Sequence, residues 1–83
     1  MTDPRTLLLT ARGHVVAAEI LAQDAAALLA SVGQDGRRSG PARQAAMARH
    51  DALLAQAERL EWQARSLEAQ AGAEPGTVIA PWN

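Results

Sequence analysis

The sequence contains no cysteine, phenylalanine, tyrosine or lysine. Without cysteine there is no disulfide, no thiolate nucleophile and no zinc–thiolate site, and the redox compartment leaves no mark. Without Phe and Tyr, and with only two Trp, the chain lacks most of the side chains that bury the largest areas. All eight basic residues are Arg against nine acids, a formal net charge of −1. No global basic field is available to hold nucleic acid or anionic lipid. The stretch Leu7–Val32 is apolar, but Arg12, His14, Glu19, Gln23 and Asp24 interrupt it. A membrane span needs roughly 20 mostly apolar residues, so the stretch reads as a soluble helix with no membrane partner. Met1-Thr2-Asp3-Pro4-Arg5 lacks the basic region and apolar run of a secretory signal. The expectation is a cytoplasmic protein.

What the chain has in abundance is alanine, 20 of its 40 apolar residues; ten Leu, four Val, two Ile, two Met and two Trp make up the rest. Alanine is the best helix former but buries little surface. A chain of 83 residues forms one domain and buries only about 60% of its unfolded surface. The composition therefore favours helix strongly and stabilises a lone monomer poorly. Other chains, or copies of this one, would supply the missing burial.

Two helices are expected. Asp3 suits an N-cap, Pro4 the first helical position and Gly33 the residue past the last turn, giving helix 1 over about 4–32. Its positions Leu8, Ala11, Val15, Ala18, Ala22, Ala25, Leu29 and Val32 are apolar at alternating spacings of three and four, a continuous seam. The linker 33–40, Gly33-Gln34-Asp35-Gly36-Arg37-Arg38-Ser39-Gly40, is a turn sequence. Helix 2 follows over about 41–71, capped by Ser39 or Gly40 and closed by Gly72. Ala46, Leu53, Leu60 and Leu67 recur every seventh residue; His50, Ala57, Ala64 and Ala71 fill the alternate seam position. Leu against Ala lets helix axes approach closely, and the short linker makes the helices antiparallel. Glu61 and Arg65 form an i,i+4 pair on the outside. In the tail, 73–83, Glu74-Pro75-Gly76 stops the helix and Thr77-Val78-Ile79 favours extended backbone. The expected fold is all-α: an antiparallel two-helix hairpin over 1–72, coiled-coil-like with an Ala/Leu seam, and an extended C-terminal tail.

Chemistry has little to work with. His14 and His50 are isolated imidazoles on different helices, and the acids are spread along solvent faces. His50 and Asp51, adjacent in sequence, do not share a helix face. No metal-ligand spacing, phosphate loop or nucleophile setting occurs. The reading is no enzyme, no cofactor and no metal. Arg37 and Arg38, with Arg43 and Arg49, make a local basic end, but no aromatic accompanies them and specific nucleic-acid binding is not expected.

Protein contact is the reading that remains. At about 100° per residue, Leu9, Val16, Ile20 and Ala27 form a second apolar stripe on helix 1, opposite the seam. Trp62 points away from the seam of helix 2. Val78, Ile79 and Trp82 are apolar anchors in the tail, suited to a groove or a sheet edge. The candidate interface residues are therefore Leu9, Val16, Ile20, Trp62, Val78, Ile79 and Trp82. The implied function is a small structural or adaptor protein within a homo-oligomer or larger assembly; the alternative is a small regulator or inhibitor that occludes a target protein.

The stretch Ala30-Ser31-Val32-Gly33-Gln34-Asp35-Gly36-Arg37-Arg38 resembles the turn of small phage head-completion proteins of the gpW type. Those are also tiny, with two helices around an Asp-Gly-Arg-Arg hairpin. The resemblance covers about nine of the 83 residues. It departs where Ser39-Gly40-Pro41 leads straight into helix in place of a β-branched hairpin strand. It implies a minor component of a phage or phage-like particle, located in the virion, and assigns no residue a role.

Overall fold

The computed structural model describes residues 3–34 and 40–79. Two helices, α1 (Pro4–Gln34) and α2 (Gly40–Gln70), pack along each other as a hairpin. Each has 31 residues, about 46 Å at 1.5 Å per residue, and the Cα envelope measures 54 × 24 × 15 Å. The Asp3 carbonyl accepts the Leu7 amide at 3.1 Å and opens the first turn of α1. The helix continues through Gly33 to Gln34, so Gly33 is not its terminating residue. Residues 35–38 of the turn and Ser39 lie outside the described residues.

The seam of α2 is the one its heptads predict. Ala46, Ala57 and Ala64 are buried, and His50, Leu53, Leu60, Leu67 and Ala71 are half-buried on the same side. The seam of α1 agrees over its first half, where Ala11, Val15 and Ala18 are buried with Leu8 packed beside them. Beyond that it shifts. Ala22 and Leu29 are exposed, while Leu21 and Leu28 take their places beside buried Ala25 and Val32. Near its N-terminus α1 is covered by α2 and by Val78 together; over its second half the contact stripe steps round the helix by one position.

Over residues 73–79 the tail is folded into turns and is not extended. Gly72 takes φ +76°; its amide bonds to the Ala69 carbonyl at 3.1 Å and the Ala73 amide to the Glu68 carbonyl at 2.9 Å. These two bonds are the Schellman motif, which satisfies the free carbonyls at the helix end. Glu74-Pro75-Gly76-Thr77 then forms a type II turn: Thr77 N–H bonds to the Glu74 carbonyl at 3.2 Å, with Pro at the second position and Gly76 at φ +91° at the third. A further turn runs from Gly76 to Ile79, whose amide bonds to the Gly76 carbonyl at 3.0 Å. The β-branched run Thr77-Val78-Ile79 does not extend because its amides find local or side-chain acceptors and no neighbouring strand.

The core that results is slight. Among the described residues the buried apolar side chains are six Ala and three Val, while Leu9, Val16, Ile20, Leu29, Leu54, Trp62 and Ile79 stand exposed. Ala11, Val15, Ala64 and Val78 form one cluster where both helices and the tail meet, with Leu8 and Leu67 against it.

Candidate protein interface

The predicted interface residues separate into three groups. Leu9, Val16 and Ile20 are exposed on α1 at 53%, 39% and 54%. They lie about 160° round the helix from Ala11, Val15 and Ala18, on the edge facing away from α2. Trp62 is exposed at 71% and lies about 140–160° from Ala57 and Ala64, on the edge of α2 facing away from α1. The two patches therefore occupy opposite edges of the hairpin, and one flat partner cannot cover both. Val78 is the correction: it is fully buried in the chain's own core and is closed to any partner. Its neighbour Ile79 is exposed at 55%. Trp82 lies outside the described residues, as do Arg37 and Arg38; Arg43 and Arg49 are exposed.

The burial of Val78 traces to a residue that the sequence reading placed on a solvent face. Glu68 is fully buried. One of its carboxylate oxygens, Oε2, accepts the Val78 amide at 2.9 Å and the other, Oε1, accepts the Gly76 amide at 3.2 Å. Arg65, one turn earlier, forms an ion pair with Oε1, so its charge serves Glu68 and not the expected Glu61. Its Nη2 is shielded from solvent and has no hydrogen-bond partner among the described residues. From the other helix, Arg12 Nη1 donates to the Val78 carbonyl at 2.8 Å. Both backbone polar groups of Val78 are thus held by side chains, one from each helix, and its isopropyl group enters the core between them. The sequence carried two signals for this. Glu68 stands between Ala64 and Ala71, at i−4 and i+3, on the seam side of α2. Pro75-Gly76 is a type II turn pair at the distance needed to bring the tail back.

Burial by itself pushes the Glu68 carboxyl up. The amides of Val78 and Gly76 and the charge of Arg65 outweigh it and hold the carboxyl below its ordinary value. The docked tail then binds fewer protons than the free tail across the interval between the two values. Docking is at full strength above the ordinary glutamate value of about 4.3 and weakens as pH falls through the depressed one. Methyl resonances of Val78, followed by NMR from pH 7 to pH 3, should move toward free-chain positions at the acid end. A flat response across that range would contradict the role given to Glu68.

His50 faces the seam with its side chain 15% exposed, and its Nδ1 lies 3.1 Å from Asp51 Oδ1. The two side chains do meet, contrary to the expectation from their adjacent positions. Among the described residues no group of three His, Asp or Glu side chains is arranged to hold a metal ion, and the surface has no enclosed pocket. By length and composition α1 over Pro4–Val32 is apolar enough to cross a membrane, and about a fifth of its most apolar window, 22%, is buried in the hairpin. No protein-family model, no curated protein and no solved structure matches the chain.

Proposed function

We propose that the protein is a non-enzymatic structural or adaptor module that packs its outer faces against other protein subunits. The observation that supports this is an inversion of burial. The buried apolar interior of the hairpin is Ala and Val, while Leu9, Val16, Ile20 and Trp62 stand outside on two opposite edges. A lone soluble chain gains nothing by placing its larger apolar side chains in water. Two edges also suit a piece that sits between neighbours better than an inhibitor that covers one target. A phage or phage-like particle is the setting we propose, on the likeness of the Asp35–Arg38 turn alone.

Trp62 supplies the test. Truncating an exposed aromatic on a monomer changes stability by no more than about 0.5 kcal/mol, whereas truncating an interface anchor weakens association by about 2 kcal/mol or more. Trp62→Ala should therefore leave helicity by circular dichroism unchanged and reduce co-purification with subunits encoded beside this chain at least tenfold. Equal recovery of those subunits with and without Trp62 would count against the adaptor reading.

A further inference from the structure

We propose that the outer edge of α1 pairs with the same edge of a second copy, antiparallel, so that the helices form a layer ordered α2–α1–α1–α2. This rests on the reading that the chain works by protein contact, and it names the partner for one of the two edges. Three observations carry it.

The first is periodicity. Leu9, Val16, Ile20 and Ala27 follow at spacings of seven, four and seven, with Gly13 and Gln23 at the intervening positions of the same face. These are spacings that keep residues on one face of a helix, so α1 carries a second apolar stripe besides the one the hairpin uses.

The second is shape. Gly13 is exposed and a β-carbon placed on it would meet no atom within 4 Å, so it is a low point of the stripe between Leu9 and Val16. Reversing the stripe on itself sets Leu9 against Ile20 of the second copy and Val16 against Gly13 of the second copy, each contact made twice. Large side chains meet large ones at the ends, and a knob fills a gap on either side of the two-fold axis. The stripe positions themselves carry no charge; Arg5 and Arg12 lie on its flank, Arg5 exposed and Arg12 engaged by the Val78 carbonyl.

The third is area. The chain exposes 5788 Å², against about 4,700 Å² for a compact monomer of this mass. Its radius of gyration is 16.5 Å, against about 12 Å for a compact chain of this length. The excess of roughly 1,000 Å² is comparable with the ~800 Å² that each partner of a standard interface contributes.

The absence of cysteine makes the test direct. Leu9→Cys and Ile20→Cys are prepared as separate full-length variants and oxidised alone and mixed. Antiparallel pairing predicts a disulfide-linked dimer chiefly in the mixture, because position 9 of one copy lies against position 20 of the other. Efficient cross-linking of either variant alone, with no 9–20 heterodimer formed in the mixture, would overturn the arrangement. The unmodified chain should sediment as a dimer at tens of micromolar, and Val16→Asp should raise the dissociation midpoint at least tenfold with helicity retained. A monomer at every concentration would overturn the pairing while leaving the Trp62 experiment to decide the adaptor reading. Binding of monomeric protein to phosphatidylcholine vesicles, lost in Val16→Asp, would also overturn it, since the edge would then serve a lipid surface.

Discussion

Replacing Glu68 by alanine should release the tail from the hairpin while the two helices stay paired. The carboxylate accepts the amides of Gly76 and Val78 and is paired with Arg65. Each hydrogen bond to a charged group contributes about 1.5–3 kcal/mol, and removing one side of a buried pair leaves the other charge uncompensated. No other acceptor is placed for those two amides, so the docked state loses more than a local contact of this size can supply. The helix end survives, because the Schellman bonds at Gly72 and Ala73 use main-chain carbonyls only. Amide exchange by NMR is the measurement. Protection at Gly76 and Val78 should fall to free-chain values, and that of residues 53–60 should stay within a few-fold of the parent. Glu68→Gln keeps one acceptor oxygen but presents an NH₂ to the second amide, so it should lie between the two. Unchanged protection in Glu68→Ala would mean the tail is held by Val78 packing alone.

Ala64→Leu should have the largest effect on global stability. Ala64 is fully buried and sits in the cluster with Ala11, Val15 and Val78. A leucine there has no space unless the helix axes separate, and separation loosens every small-residue contact along the seam. Overpacked cores lose about 1–3 kcal/mol, and this site calls for the upper end. A core of this size supplies only about 3–5 kcal/mol in total, so the variant should be largely unfolded in urea concentrations the parent tolerates. Ala55→Leu, exposed on the outer edge of α2, is the control and should change stability by no more than about 0.5 kcal/mol. If the two variants melt alike, the close approach of the helices is not what holds the hairpin.

The helices were legible because their signals are long and repeated. Leu53, Leu60 and Leu67 with Ala57 and Ala64 give α2 a period that no local effect disturbs, and the Gly72 terminator lies where the helix ends. The seam of α1 is legible over its first half, where Ala11, Val15 and Ala18 are buried as the spacing expects. Ala22 and Leu29 fit the heptad as well as Leu21 and Leu28 fit the actual contact, and the apolar pattern by itself does not choose between them. The tail departs from the expectation because the β-propensity of Thr77-Val78-Ile79 points to extended backbone, while Glu68, an acid between two seam alanines, accepts the Val78 and Gly76 amides and turns the segment back. The two edge patches were readable from angle alone: Leu9, Val16 and Ile20 face away from one seam and Trp62 away from the other. That Val78 belongs inside was not readable, since nothing in the residue type distinguishes an anchor for a partner from an anchor for the chain's own groove.

The closure of the tail has a kinetic consequence. Arg12 and Val78 are 66 positions apart in the chain, whereas the hairpin can zip outward from its turn through contacts of increasing separation. The groove that receives Val78 exists only after α1 and α2 have paired over their full length, because Ala11, Val15 and Ala64 lie at the end of the hairpin remote from the turn. Docking is therefore expected to form last and to reverse first, outside the folding transition state. Interactions of that kind set how fast a protein opens and leave the rate of its formation almost untouched. Glu68 and Arg12 thus govern the lifetime of the closed chain, and the time for which the end that carries Ile79 stays in one place on the surface.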